Sequence, residues 1–511
     1  MLAVLHSMIL NGIEALPVQV EVDIHNGLSA FEVVGLASTA IKEAKERVRA
    51  AIKNSGFQFP NQRITINLAP ADIHKEGSHL DLPIAIGILI ASGQLECPQR
   101  PAFCMAGELS LDGSLKSVPG ALSMCLEMAS SAQPIPLIVP ESNRSEAALV
   151  TEIRVFVSEN LKQIADFLQN PIQSRLPEVE PNPTPDEPPF SFLDFSEVYG
   201  QSMARRAIET AAAGMHNLLL IGPPGSGKTM LARRIPGILP PMSREEVLET
   251  TRIYSISNQL DANRPLINTR PFRAPHRSAS GASLIGGGRV PRAGEISLAN
   301  HGVLFLDEFP EFDRNVLEAL RQPLEDRQVT ISRTQATLTY PANFMLVAAM
   351  NPCPCGYFGS ERECHCSPSQ IQKYLKKISG PLLDRIDIQT EVPRVDYREL
   401  SGTYTPESSA EIRQRVDRAH TIQRERFAGT PTHFNSQMTN SQIHACCTLP
   451  PDAERLLQMA FDRLQMSARS YTRILKVART LADLDAEEQI QSRHIAEALQ
   501  YRSLDKKYWS A

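Results

Sequence analysis

The sequence predicts an α/β protein with two sheet-containing domains and a helical C-terminal part, and three observations carry that expectation. Short, wholly apolar runs at Leu218–Ile221 and Val303–Leu306 read as strands buried on both faces, the mark of a parallel sheet covered by helices. Near the start, Val18, Val20, Val22 and Ile24 alternate with polar residues, as a half-buried strand requires. Between these patterns, residues 171–190 hold seven prolines and almost no large apolar side chain, so they read as an extended, stiff tether that does not pack.

Taken in order, the alternating strand is followed by a helix that Ser38 or Thr39 caps, with Ile41, Ala44, Val48 and Ile52 as its buried stripe and Gly56 as its stop. Strands at 63–69 and 136–140, with an apolar helix at 82–92 between them, complete a first domain over residues 1–168. The tether spans 169–191. Strand and helix patterns then alternate over 192–395, and residues 396–511 turn helical, with a period-3.6 stripe at Ile474, Val477, Ala478 and Leu481.

At 42% apolar and 21% charged residues, the composition of the 511-residue chain is that of a globular protein rather than a disordered one. A net charge of −5 argues against a globally basic protein, so a nucleic-acid partner has to be held by local patches. The longest apolar stretch is too short for a bilayer and the start has no basic run, which points to a cytoplasmic protein without membrane contact. In that setting the nine cysteines do not form a disulfide framework.

The segment LLLIGPPGSGKT joins a buried strand to a glycine-rich turn (Gly222, Pro223, Pro224, Gly225, Ser226, Gly227) and then to Lys228 and Thr229 entering a helix. Strand, loop and helix in that order make a phosphate-binding loop. Its N–H groups cradle ATP phosphates, Lys228 neutralises their charge and Thr229 ligates Mg2+. Further on, VLFLDE ends a strand in Asp307 and Glu308. Alone this pair reads as a solvated turn; with the phosphate loop it reads as Asp307 holding magnesium and Glu308 polarising the attacking water. Asn351 ends the run FMLVAAMN and orients that water, or simply forms a turn before Pro352. Arg385 in GPLLDRIDI reads as an arginine finger for a neighbouring subunit and Arg473 as a sensor, with ordinary surface arginines as the alternative.

These motifs in this order resemble AAA+ ATPases. The strings FRAPHRSASGASLIGGG, PRAGEISLANHGVLFLDEFPEF, LEDRQVTISRTQATLTYPANFMLVAAMNPCPCGYFG and SARSYTRILKVARTLADL narrow the resemblance to the magnesium-chelatase-like group and, within it, to the ComM/YifB family, over essentially the whole chain. The resemblance implies an AAA+ core with helical lid, and since an arginine finger delivered in trans requires a neighbour, a ring is expected, with a hexamer as the expected size. It also implies an ATP-driven helicase promoting branch migration when transforming DNA is integrated by homologous recombination. The first domain resembles the Lon protease (ribosomal protein S5 domain 2-like) fold, but the positions matching the Lon serine and lysine read His79 and Leu122, so a proteolytic Ser-Lys dyad is not expected; Ser78 is adjacent if the alignment slips by one. One departure stands out: the usual PHH reads Pro275, His276, Arg277.

Cys353, Cys355, Cys364 and Cys366 form two C-x-C pairs able to surround one structural Zn2+, with reduced, unligated thiols as the alternative and His365 as a substitute ligand. Two loops supply candidate contacts to single-stranded or branched DNA: GGGRVPRAG with Arg289 and Arg292, and the hairpin TISRTQATLTY with Arg333 near its tip. The arginine-rich helix over 413–426, interspersed with acids, reads as a solvated face. Two other classes share these motifs: a protein-remodelling ATPase acting on a protein partner, whose rate DNA leaves unchanged, and a DNA-bound scaffold that displaces no strand.

Overall fold

A computed structural model describes residues 2–38, 41, 43–97, 103–182, 192–261, 264–288, 292–332, 337–395, 406–464 and 466–509. The chain forms two compact units. The first comprises the N-terminal residues with Val247–Ile267 and Thr330–Tyr340, and the second holds the remainder.

The first unit is built on β1 (Leu2–Asn11), β2 (Glu14–His25), β3 (Ala30–Val34), β4 (Arg63–Ala69), β5 (Cys104–Met105), β8 (Leu137–Pro140) and β9 (Val155–Ser158), with a small hairpin of β6 (Glu108–Leu109) and β7 (Leu115–Lys116) beside it. The sheet order is β3-β4-β2-β1-β5-β8-β9. Alternation along β1 divides the core: Leu5 and Ile9 face the helices Ala44–Asn54 and Asp81–Ala91, while Met8 faces the helix Ala121–Ser130. The helix Asp81–Ala91 is apolar on every side after Asp81 and almost wholly buried, because it lies on β1 and β2 and is also flanked by the helices Ala44–Asn54 and Leu161–Gln169. Gly87 permits that approach, since a Cβ there would stand 2.6 Å from Val22 Cγ2.

Three expectations change here. The helix Ala44–Asn54 starts with Glu43 at its N-cap and no side-chain cap, so Ser38 does not cap it, and Thr39 lies outside the described residues. The proline-rich run packs over its first half: Val157 N–H bonds Pro177 O at 3.0 Å, Val179 N–H bonds Val155 O at 2.8 Å, and Leu176 and Val179 are buried. Proline is tolerated because it sits on an edge, where Pro177 gives only its carbonyl and Val179 supplies the N–H. Within the segment expected to be one ATPase core, Val247–Ile267 and Thr330–Tyr340 join the first unit. There Ser255 accepts from Gly120 N–H at 3.0 Å and bonds Glu146, and Arg252 donates to Ile13 O at 2.9 Å.

In the second unit β10 (Leu218–Ile221), β11 (Phe272–Arg273), β14 (Val303–Leu306), β17 (Met345–Met350) and β18 (Ile388–Glu391) form a sheet in the order β11-β14-β17-β10-β18. Every pairing is parallel. The runs LLLI, VLFL and MLVAAM are buried throughout. A hairpin of β12 (Gly286–Gly287) with β13 (Arg292–Ala293) lies between β11 and β14, and a second, β15 (Gln328–Ser332) with β16 (Thr337–Pro341), precedes β17 in the chain and belongs mostly to the first unit. The helical part includes Ser409–Arg426, Pro451–Leu464, Ala468–Leu484 and Ser492–Gln500, and Ile474, Val477, Ala478 and Leu481 are buried as the period requires. The arginine-rich helix is less of a solvated face than expected, because Arg415 pairs with Glu209 and Glu407, and Arg426 with the buried Asp483. No described helix is long and apolar enough to cross a membrane.

Candidate nucleotide site

The phosphate loop lies at the carboxyl edge of the parallel sheet, between β10 and the helix Lys228–Ala232. Gly225 and Gly227 have φ of +75° and +93°, a region that favours glycine. A Cβ on Gly222 would overlap the carbonyl oxygen of Val392. Lys228 Nζ donates to Gly222 O (2.8 Å), Pro223 O (2.9 Å) and Asn351 Oδ1 (3.2 Å). Burial pushes the Lys228 ammonium down to about 8, against the pull of Asp307 and Glu308. Thr229 Oγ1 donates to Asp307 Oδ2 at 2.6 Å, so a hydroxyl and a carboxylate suited to magnesium stand together.

Asn351 is placed by its strand: Gly222 N–H bonds Met350 O at 3.2 Å, which sets the amide beside the phosphate loop. Glu308 takes φ of +51° and its Oε2 accepts from Arg277 Nη1 at 2.6 Å. Gln201 Nε2, just before the helix Ser202–Gly214, donates to Ser226 O at 3.3 Å and Pro393 O at 2.5 Å. Sequence reasoning missed this brace of the loop; the only signal was a polar residue opening a helix.

Arg385 and Arg473 lie elsewhere. Asn217, immediately before β10, donates to Arg385 O at 2.8 Å, whereas the phosphate loop follows the other end of that strand. At ~3.3 Å per residue, Asn217 before the strand and Gly222 after it are about 16 Å apart. Arg385 and Arg473 line a cleft of about 370 Å3 with Arg327, Arg469 and Lys476. Arg385 Nε and Arg473 Nη1 are buried there without a hydrogen-bond partner. Arg385 also pairs with Glu325, and Arg473 Nε stands 3.4 Å from Asp387 Oδ1. Asp387 Oδ2 meets His216 Nδ1 at 3.2 Å, and His216 Nε2 meets Thr480 Oγ1 at 2.8 Å. Burial favours a protonated Asp387, but His216, Arg473 and Lys476 outweigh it and hold the carboxyl down to about 2. His216 and Asp387 were also missed, since a histidine before a strand carries no signal until its partners are known.

The four cysteines converge. Sγ of Cys353 is 3.3 Å from Cys355 and 3.7 Å from Cys364, Cys355 is 3.6 Å from Cys364, and all four sulfurs lie within 4.8 Å of one another. A zinc tetrathiolate with bonds of ~2.3 Å has sulfur–sulfur edges of about 3.8 Å, so the set fits zinc. Phe358 N–H donates to Cys353 Sγ at 3.3 Å. His365 is not part of the cluster. The same loop packs on the phosphate loop, since a Cβ at Gly356 would be 2.5 Å from Pro224 Cδ.

Of the DNA candidates, Arg292 is exposed on β13, while Arg289 and Arg333 lie outside the described residues. In the first unit His79 and Leu122 are both buried. Ser78 Oγ bonds the carboxylate of Glu108 rather than an amine, which a serine–lysine dyad does not match.

Fold and site together define a P-loop protein of the AAA+ class. The family profile for magnesium chelatase subunit ChlI matches residues 194–400, that for its C-terminal part 406–502, and a third ChlI profile 20–143. The competence protein ComM of Haemophilus influenzae is 44% identical over 508 residues, covering 98% of each chain. A Salmonella typhimurium protein called YifB is 44% identical over 99% of this chain and 98% of its own. The magnesium-chelatase 67 kDa subunit of Heliobacterium mobile is 24% identical over 45% of this chain and 38% of its own. The chain belongs to the ComM/YifB family of magnesium-chelatase-like AAA+ proteins.

Proposed function

We propose that this protein is an ATP-driven ring motor on DNA, a helicase that moves branch points during homologous recombination of DNA taken up in natural transformation. The observation that carries the ring is the placement of Arg385 and Arg473. Both lie at the sheet edge opposite their own phosphate loop, with donors unpaired in a cationic cleft, so they serve a γ-phosphate only if a neighbouring subunit brings one. Closing that contact around a ring, six-membered in this reading, completes every site. Within a subunit Lys228 and the loop N–H groups bind the phosphates, Thr229 and Asp307 hold Mg2+, Glu308 polarises water and Asn351 orients it against the γ-phosphate.

Single-stranded or branched DNA as the partner is supported by the competence name of the Haemophilus relative and by the exposed Arg292 on its hairpin, with Arg289 and Arg333 as further phosphate contacts. Four thiolates, Cys353, Cys355, Cys364 and Cys366, hold a structural zinc that leaves no open position for chemistry. The first unit, lacking a serine–lysine dyad, acts as a non-proteolytic module, and the protein works in the cytoplasm. The test is steady-state ATPase alone, with single-stranded DNA and with a four-way junction, using Lys228→Ala as the blank. Stimulation by DNA that the blank lacks is expected, as is branch migration that Glu308→Gln abolishes while keeping ATP binding and assembly. Absence of stimulation at low salt would replace the DNA reading with that of a protein-remodelling ATPase.

A further inference from the structure

Five cations line the cleft that holds Arg385 and Arg473, against two carboxylates, Glu325 and Asp387. Four of the five are accounted for. Arg385 and Arg473 are each steadied by one of the carboxylates, Lys476 Nζ donates to Ser436 O at 2.9 Å, and Arg469 is exposed to solvent. Arg327 is different. It is partly buried, and among the described residues its guanidinium has neither an ion pair nor a hydrogen bond. Burial pushes it down to about 10, against the pull of Asp387.

The backbone makes the choice of arginine more pointed. Arg327 closes the helix Arg321–Asp326 in the left-handed region, with φ of +55°. Its N–H bonds Pro323 O at 2.9 Å and its carbonyl accepts from Ala342 N–H at 2.9 Å, so the conformation is held on both sides. Glycine or asparagine fills such a helix end at less cost. Arg327 and Arg473 also share their electrostatic surroundings: both act on Lys476, and both are drawn by Asp387. A cation drawn out of water among other cations destabilises a fold unless an anion reaches it. A residue that opposes both local backbone preference and local charge is the kind of departure that function maintains.

We propose that Arg327 is a catalytic residue which, with Arg385 and Arg473, contacts the γ-phosphate of ATP bound by a neighbouring subunit. Its guanidinium donates to an oxygen on which negative charge is held as the terminal phosphoryl group is transferred to water. This role rests on the reading of the cleft as the receiving half of a shared site. In a free subunit the guanidiniums repel one another, and the arriving phosphate removes that repulsion. Arg327 therefore weakens the lone chain and strengthens the assembled, ATP-bound one.

The experiment uses full-length Arg327→Gln and Arg327→Lys in steady-state MgATP hydrolysis. Arg327→Gln should lower kcat about tenfold or more, as loss of a charge-assisted hydrogen bond to the reacting group does, and Arg327→Lys should restore part of it. Binding of a fluorescent ATP analogue should be unchanged, and the transition temperature of the nucleotide-free protein should be equal to or above that of wild type. Mixing Arg327→Gln with an equal amount of Lys228→Ala before nucleotide is added then tests the direction. An interface that joins the intact phosphate loop of one variant to the intact Arg327 of the other is whole. Random assembly makes about one interface in four of that kind, so about a quarter of the wild-type rate should return, above the sum of the separate rates. Arg385→Ala mixed with Lys228→Ala is the reference. Recovery in the reference but not with Arg327→Gln overturns the role of Arg327 and leaves the shared site standing. Recovery in neither refutes the shared site and Arg327's role with it. A wild-type kcat in Arg327→Gln also overturns the role, as does a fall that comes with a lowered transition temperature and no recovery on mixing, which marks Arg327 as structural.

Discussion

Replacing Asp387 by asparagine removes a buried charge while keeping its shape. Asp387 joins three elements: Oδ2 faces His216 at 3.2 Å and Asn217 N–H at 3.3 Å, and Oδ1 faces Arg473 at 3.4 Å. Its carboxyl is held at about 2 against an ordinary value of 3.8. A difference of roughly 2 units, at ~1.36 kcal/mol each, corresponds to about 2.5 kcal/mol favouring the charged form in the folded state. The folded pKa is the depressed one, so this stabilisation is present in full above pH ~4 and is lost as pH falls from there toward 2. Differential scanning calorimetry of wild type and Asp387→Asn from pH 6 to 8 should therefore show a constant lowering of the second unit's transition, by roughly 4–8 °C. ATPase should fall with it, because Arg473 loses its anchor, while nucleotide binding to the distant phosphate loop is retained. Equal transition temperatures, or a gap that widens steadily across that pH range, would refute the assignment of Asp387 as a charged brace.

Three further outcomes follow from the same geometry. Nucleotide affinity, measured with a fluorescent ATP analogue, should weaken as pH rises through about 8, because the Lys228 ammonium proposed to meet the phosphates is progressively neutralised, and Lys228→Arg should flatten that dependence. Protein purified under reducing, chelator-free conditions should carry about one zinc per chain; Cys353→Ser/Cys364→Ser should lose it and, through the Gly356–Pro224 contact, weaken nucleotide binding as well. Gly87→Ala should lower stability to urea by about 1–2 kcal/mol, since overpacking against Val22 and Leu5 exceeds the gain of roughly 1 kcal/mol in helix propensity.

Much of the fold was legible because its signals are local. LLLI, VLFL and MLVAAM are buried on both faces in a parallel sheet, and burial on both faces is what makes them continuous apolar runs. The helix Ala468–Leu484 follows its 3.6-residue stripe. The proline-rich run misled, since composition reports the absence of large side chains but not an open sheet edge for Leu176 and Val179 to cover. The expected single ATPase segment misled for a related reason: nothing in Val247–Ile267 or Thr330–Tyr340 states which core will bury it.

By itself the sequence determined the chemistry that a contiguous stretch of backbone can hold: a glycine loop opening a helix, two acids ending a buried strand, and two C-x-C pairs. Tertiary structure alone decided which distant groups meet. It set Arg277 on Glu308, drew four sulfurs to within 4.8 Å, braced Arg473 with Asp387 and His216, and put Arg385 at the far edge of the sheet from Lys228. The physical reason is that backbone hydrogen bonding and turn geometry act over a few residues and are written in adjacent side chains. Ion pairs and thiol clusters depend on Cβ directions fixed only when whole elements pack.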